Sequence, residues 1–343
     1  MATIQDIARM SGYSIGTVSR VINNRADVSE RARKRIEEVI REQDYQPNSN
    51  ARMLRQSVSS EISIIIRGTS SVFLQSVLEK TQIRVGEHGE SASVQFIGET
   101  EDEVAMAVQV VQHLKPKGLI FLGGSVHNFQ EEFSKIDVPS VLVSANADGL
   151  GYDNLSSFST DDEGAAAYAV GRLVAQGHRR IGILGGYPGD SSGTMTDDCG
   201  ALRIRGAVGE LGKNGISFDF DNDYEGCAFS AEDGYKAAER LLLRTPDLTG
   251  IFALSDVMAI GAIRAFRDMG LHVPEDISVV GFDGILYAEY SNPRLTTIRQ
   301  DAATLARKSV DSLLLMISYG SPAMHEQIPY RYVNGESVAR PRE

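Results

Sequence analysis

Residues 3–23, TIQDIARMSGYSIGTVSRVIN, read as two short helices around a tight turn, a helix-turn-helix. Thr3 followed by Asp6 forms a capping-box pattern, in which side chains satisfy free backbone N–H groups at a helix start. Ile4, Ile7 and Ala8 share one helical face, with Asp6 and Arg9 outside it. Ser11-Gly12 stops this helix, glycine tolerating the left-handed backbone of a sharp turn. Ser14 offers a second N-cap, after which Val18, Val21 and Ile22 repeat the apolar spacing. The outward face of the second helix carries Ile15, Gly16, Thr17, Ser19, Arg20 and Asn23. Short residues and hydroxyls beside one arginine suit close approach to a duplex, where hydroxyls and helix N–H groups meet phosphates and arginine reaches a base edge. A helical hairpin packed on a larger core is the alternative at this point.

The charge distribution bears on that choice. The net charge is −12, unfavourable for a nucleic-acid binder until the chain is divided. Residues 1–56 hold ten Lys/Arg against seven Asp/Glu, a net of +3, and the remainder holds 24 against 39, a net of −15. A basic head on an acidic body has the sign expected if only the head meets DNA. A third helix is predicted from an N-cap at Ser29 to about Gln43, with Ile36, Val39 and Ile40 as its apolar stripe. Its Arg31, Arg33, Lys34 and Arg35 read first as a solvated surface and second as steering toward phosphate. After Tyr45-Gln46-Pro47-Asn48 breaks the helix, residues 50–56 (NARMLRQ) form a segment too short to hold a helix alone. Its apolar pair Met53-Leu54 among arginines fits either a minor-groove wedge or an ordinary linker.

From Glu61 strands and helices alternate. Strands are predicted at 62–66, 92–97, 118–122, 140–144, 180–185, 249–254, 277–282 and 295–299, with helices clearest at 161–177, 231–244, 256–270 and 301–318. Aliphatic strands joined by helices indicate parallel sheets covered on both faces, and about 280 residues exceed one such unit. The expected fold class is therefore α/β: a helix-turn-helix headpiece plus two doubly wound parallel-sheet lobes. Ligands in such folds bind beyond the carboxyl ends of strands, which directs attention to loops 67–73, 123–125, 185–193, 255–256 and 283–284.

Catalytic signatures do not emerge. LGGYPGD has no GK[ST] and does not fit GxGxxG, so it reads as a turn-rich loop. No GxSxG elbow supplies a nucleophile, and the six histidines show no paired ligand spacing. His178 is expected to satisfy carbonyls at its helix end, and Asp161-Asp162-Glu163 to complement a helix dipole with no further role. Two cysteines outside any CxxC argue against a disulfide framework or cysteine zinc site. No catalytic residue, metal or cofactor is expected. Neither a signal peptide nor a run of about 20 apolar residues is visible, so the expected location is cytoplasmic, with no membrane partner.

The stretches ATIQDIARMSGYSIGTVSRVINN, VSERAR, DYQPNSNARMLR, GHRRIGIL, LSDVMAIGAIRAFRDMGLHVPEDISVVGFDG and LTTIRQD together resemble the LacI–GalR (lactose and galactose repressor) family over nearly the whole chain. The resemblance implies a headpiece at 1–47 and a hinge helix with linker at 48–60. It also implies a core similar to periplasmic sugar-binding proteins, with one lobe at 61–158 plus about 291–320 and the other at 159–290 plus about 321–343. Ile15, Gly16 and Arg20 match base-reading positions. Thr17, Ser19 and Asn23 match positions that hold phosphates or flank the bases, and Leu54 matches the hinge leucine that intercalates at the operator centre. Gly16 departs from the family in lacking a reaching side chain. In the core, Arg203 matches the arginine that grips ligand hydroxyls or a carboxylate, Asp283 the aspartate that accepts from a polar ligand, and Phe229 an aromatic ring that stacks on it. Ser70, Phe73, Ser255 and Gln300 fall at further pocket positions. Ser144 stands where an acid is frequent and Cys199 where a serine is found. A structural salt bridge between lobes is the alternative for Arg203 and Asp283.

By this resemblance the chain is a homodimeric, ligand-controlled transcription repressor reading a pseudopalindromic double-stranded operator, with a sugar or sugar phosphate as effector. An activator or dual regulator of the same family, a solute-binding protein, and a sugar-processing enzyme with an appended head are the competing readings. No leucine heptads follow Val333, which favours a dimer over a tetramer.

Overall fold

The computed structural model describes residues 4–22, 28–43, 61–68, 70–187 and 198–342, in two compact units, Met1–Ser59 and Ser60–Glu343. The first unit contains α1 (Ile4–Ser11), α2 (Ile15–Ile22) and α3 (Glu30–Glu42). Ile7, Val18, Ile36 and Val39 are buried at its centre, the apolar stripes meeting as their spacing requires. Gly12 takes φ +76°, which turns the chain so that its own amide and that of Tyr13 both reach the Ala8 carbonyl. Ser14 Oγ accepts from the Thr17 amide at 3.2 Å and Ser29 Oγ from Ala32 at 3.4 Å, the two expected N-caps. Thr3 of the expected capping box lies outside the described residues, as do Asn23 and the hinge with Leu54.

The second unit carries two six-stranded sheets. The first is built from β1 (Glu61–Arg67), α4 (Val72–Glu87), β2 (Ser91–Ile97), α5 (Glu103–Leu114), β3 (Gly118–Leu122), α6 (Val126–Glu132), β4 (Ser140–Val143) and β5 (Leu155–Ser159). Alternate residues of β1 serve opposite faces: Ile62, Ile64 and Ile66 pack toward α4, and Ile65 packs with Phe121, Phe129 and Phe133. This two-sided burial explains the unbroken aliphatic run. The chain then forms α7 (Asp162–Gln176), β6 (Ile181–Leu184), α8 (Cys199–Lys213), α9 (Phe220–Asp223), β7 (Tyr224–Glu225), α10 (Ala231–Arg244), β8 (Gly250–Ala253), α11 (Asp256–Asp268), β9 (Ser278–Asp283), α12 (Leu286–Tyr290) and β10 (Thr296–Arg299). It finishes with α13 (Ala302–Tyr319), β11 (His325–Gln327) and β12 (Arg331–Val333). The strand orders are β11-β5-β4-β3-β1-β2 and β12-β10-β9-β8-β6-β7, all neighbours parallel except β10 with β12. No described helix is long and apolar enough to cross a membrane.

Several expectations need correction. The LSSFS strand β5 was not foreseen, because its serines look like a loop. Yet Ser156 and Ser157 are buried and bonded, Ser156 Oγ to the Met324 amide and Ser157 Oγ to the Ala147 amide, each at 3.0 Å. The lobe boundaries also move. β10 lies in the second sheet, so the chain returns to the first lobe after Arg299 rather than near 291. β11 lies in the first sheet, so the last crossing follows Gln327 rather than 320. That crossing spans only residues 328–330, and at roughly 3.4 Å per residue it holds the end of β11 and the start of β12, one edge strand of each sheet, within about 14 Å of each other. His178 serves its helix end through its backbone amide, which donates to the Leu173 carbonyl at 3.2 Å, while its ring bonds Thr249 Oγ1 at 3.0 Å and the Ala339 carbonyl at 2.9 Å, tying down the C-terminal segment.

Helix pairs in the second lobe approach through glycine. A Cβ on Gly261 of α11 would lie 2.1 Å from the Ala231 carbonyl oxygen of α10, and one on Gly206 of α8 would lie 2.0 Å from the Glu163 carbonyl oxygen of α7. Gly261→Ala is therefore expected to destabilise the core by about 1–3 kcal/mol, read as a lower urea midpoint with unchanged slope. An unchanged midpoint would show that the helices can separate without loss.

Candidate functional site

In the first unit, α2 presents the candidate DNA face. Ile15, Gly16, Thr17, Ser19 and Arg20 all lie on this helix. Thr17 is half-buried and shares a hydrogen bond with Ser14 Oγ at 2.9 Å, while Arg20 is exposed. On α3, Arg31, Lys34 and Arg35 are exposed, and Arg35 pairs with Glu38 at 3.3 Å, as a solvated charged face would.

In the second unit the expected residues gather at the carboxyl ends of both sheets. From the first lobe come Ser70 after β1, Phe73 in the first turn of α4 and Ser144 after β4. Phe73 is buried in the lobe's core. Ser70 donates to Glu99 Oε1 at 3.0 Å, and Ser144 takes φ +76° with its amide bonded to the Phe158 carbonyl. Glu103, absent from the sequence expectations, lies beneath this rim. It is fully buried, accepts from the Ser125 amide at 2.7 Å and Asn128 Nδ2 at 2.9 Å, and has Arg67 at 3.6 Å. Burial raises its pKa, partly opposed by Arg67, and its bonds brace the 123–125 loop.

The second lobe supplies the charged centre. Arg203, 2% exposed, extends from α8. Its Nε donates to Asp162 Oδ1 at 2.7 Å, and its Nη1 donates to the Leu254 carbonyl at 2.7 Å and to Asp283 Oδ1 at 3.4 Å. The guanidinium carbon stands 3.8 Å from the centroid of the Phe282 ring, a cation–π contact out of water. Asp283 sits at φ +111°, a backbone region costly for a side-chain-bearing residue. Gly284 follows at φ +69°, and a Cβ there would lie 2.4 Å from Arg299 Cβ, so only glycine completes this turn. Gln300 Nε2 donates to Asp283 Oδ1 at 2.9 Å, and Thr160 Oγ1 donates to Gln300 Oε1 at 2.8 Å. Thr160 and Gln300 occupy two of the crossings between sheets, so the charged centre is fastened to the hinge of the two lobes. Beneath it, fully buried Asp256 accepts from the Ile285 amide at 2.8 Å and from Thr297 Oγ1 at 2.5 Å, supporting the Asp283-Gly284 turn. Burial, with Asp283 adding to it, holds the Asp256 pKa well above the usual carboxylate range. Burial also pushes Asp283 up to about 6 against the pull of Arg203, and raises Asp162.

The reading of Asp161-Asp162-Glu163 as dipole complement alone is corrected here. Asp161 caps α7 through the Gly164 amide, but Asp162 is buried and paired with Arg203. The salt bridge considered for Arg203 and Asp283 exists, yet it joins elements of one lobe rather than two. The remaining residues line the rim. Ser255 caps α11, accepting from the Met258 amide at 3.3 Å. Half-buried Cys199 opens α8, its thiol pushed up to about 12 by burial. Phe229 reaches the same turn, its Cζ 3.8 Å from where a Gly200 Cβ would be. Among the described residues no group of three or more His, Cys, Asp or Glu could hold a metal ion.

Comparison with known proteins accords with both units. Residues 3–48 match "Bacterial regulatory proteins, lacI family", and residues 170–338 match a periplasmic binding protein-like domain. The transcriptional regulator MalR of Clostridium butyricum is 34% identical, the match covering 97% of this chain and 98% of that protein. GalS of Salmonella typhimurium, also a transcriptional regulator, is 30% identical over 92% of this chain and 89% of its own. Among solved structures, a lac repressor dimer bound to operator and the anti-inducer ONPF superposes with a TM-score of 0.74 at 26% identity, covering 98% of this chain and 99% of that one. A CelR–cellobiose complex superposes at 0.69 with 24% identity, covering 98% of this chain and all of that one, a likeness of fold. With a helix-turn-helix unit and a two-sheet core on one chain, and relatives of this identity along its whole length, the protein belongs to the lacI family of bacterial regulatory proteins.

Proposed function

We propose that the chain is a cytoplasmic, ligand-responsive transcriptional repressor that acts by binding rather than catalysis. A homodimer places α2 of each headpiece in adjacent major grooves of an inverted-repeat operator, with half-sites about one helical turn apart. Ile15, Gly16 and Arg20 face base edges, Thr17, Ser19 and Asn23 the backbone beside them, and Leu54 enters the central step. A small polyhydroxylated ligand lies between the lobes on Arg203, Asp283 and Gln300, with Phe229, Ser255, Cys199, Ser144, Phe73 and Ser70 around it. The observation that carries this reading is the buried Arg203–Asp283–Gln300 cluster bonded through Thr160 to the crossings between lobes. A ligand bridging it to the first lobe changes lobe closure, and its effect on DNA affinity cannot exceed its differential affinity for the two closures. The lac repressor dimer on its operator and the cellobiose-bound CelR support the two halves of the proposal by analogy.

Leu54→Ala tests the hinge. It should lower operator affinity about tenfold and reduce the DNA bend measured by energy transfer between duplex ends, while the thermal midpoint stays unchanged. An undiminished bend would remove the wedge role.

A further inference from the structure

We infer that Asp162 sets the ligand class of the cleft: by neutralising Arg203 it makes the site select an uncharged polyhydroxylated molecule over one bearing a carboxylate or phosphate. This rests on the reading of the cleft as the ligand site. A carboxylate or phosphate is held best when two parallel N–H groups of one guanidinium edge point at it. Arg203 has two such edges, Nε with one terminal nitrogen and the two terminal nitrogens together. Nε is committed to Asp162 at 2.7 Å, and Nη1 is committed to the Leu254 carbonyl at 2.7 Å with Asp283 at 3.4 Å. The Phe282 ring covers one face. Among the described residues only Nη2 stands outside these contacts; its two N–H groups lie on different edges, so it can serve hydroxyl oxygens but, with Nε and Nη1 both committed, cannot complete a two-nitrogen fork.

The electrostatic surroundings act in the same direction. Facing this one cation are Asp162 and Asp283 in contact, with Asp161 and Asp198 close enough to raise the pKa of Asp162. An arriving anion would meet more negative than positive charge in a place where screening by water is weak. A hydroxyl meets no such barrier, since it can donate to the Asp283 carboxylate and accept from Nη2. Adjacent hydroxyls of a neutral sugar do both at once. Sugar phosphates, which the family resemblance left open, are thereby disfavoured.

The test is calorimetric titration of the full chain at pH 7.5 with matched sets: glucose, glucose 6-phosphate and glucuronate; galactose, galactose 6-phosphate and galacturonate; ribose and ribose 5-phosphate; and cellobiose. In the wild-type protein every saturable binder should be neutral and at least tenfold tighter than its charged counterpart. Asp162→Asn should narrow that ratio at least tenfold, a change that general loosening of the fold would not produce. A charged member binding the wild type as tightly as its neutral partner would overturn the inference alone, and so would an unaltered ratio in a folded Asp162→Asn. If Asp162→Asn fails to fold, the wild-type ratio decides. If no member binds, the carbohydrate reading itself fails and the inference falls with it.

Discussion

Replacing Arg203 by alanine should lower the stability of the core by about 3–5 kcal/mol and abolish any ligand response. The size follows from what remains behind. Asp162 and Asp283 are both buried, and each would lose the cation that holds its charge. The deficit should also depend on pH. Without Arg203 both carboxyls would favour the protonated form in the folded protein more strongly than in the unfolded chain. The folded state then binds more protons, so stability falls as pH rises above about 4, the ordinary range of an aspartate. Asp283 already shows the tendency in the intact protein, pushed up to about 6 by burial even with Arg203 present. Urea denaturation at pH 5 and pH 8 should therefore show a larger loss for Arg203→Ala at pH 8. An equal loss at both would mean that the two carboxyls do not depend on Arg203 for their charge. The family resemblance casts Arg203 as a ligand-gripping group; the structure adds that it is a structural keystone of the second lobe.

Arg20→Ala should weaken operator binding by about 1–3 kcal/mol, roughly 5- to 150-fold, and relax the preference at one base pair of each half-site. Arg20 is exposed on α2, whose opposite side is buried through Val18 and Val21, so the headpiece should fold normally without it. The decisive comparison is between operator and unrelated duplex over a range of salt. A base contact predicts a loss confined to the operator with an unchanged salt slope. Uniform weakening on both duplexes, with a slope reduced by about one, would make Arg20 a phosphate contact.

Much of this architecture was legible before the structure because apolar periodicity reports burial directly. α10 spans Ala231–Arg244, the predicted 231–244, and buries Ala237, Ala238, Leu241 and Leu242, and the aliphatic runs became strands buried on both faces. β5 was missed because buried serines satisfied by Met324, Ala147 and His325 carry no apolar signal. The lobe exchange at β10 and β11 was misplaced because a crossing depends on which sheet accepts a strand, a non-local pairing that no window of residues reports. Asp162 was misread for a related reason. An acid at a helix start has a sufficient local explanation, and its partner lies 41 residues away on another helix. Glu103 and Asp256 are placed alike: each sits at the start of a helix, and each braces a loop of the cleft from below.

The central claim, that one chain couples reading of duplex DNA to a ligand held between two lobes, is tested most directly by selection from a randomised duplex pool. The full-length protein would be used at fixed moderate salt, with and without the neutral sugars above. The account predicts enrichment of an inverted repeat whose half-site centres lie about 10 bp apart, with recovery changed by at least one sugar and unchanged by it in Arg203→Ala. A pool that shows no inverted repeat under any of these conditions would contradict it.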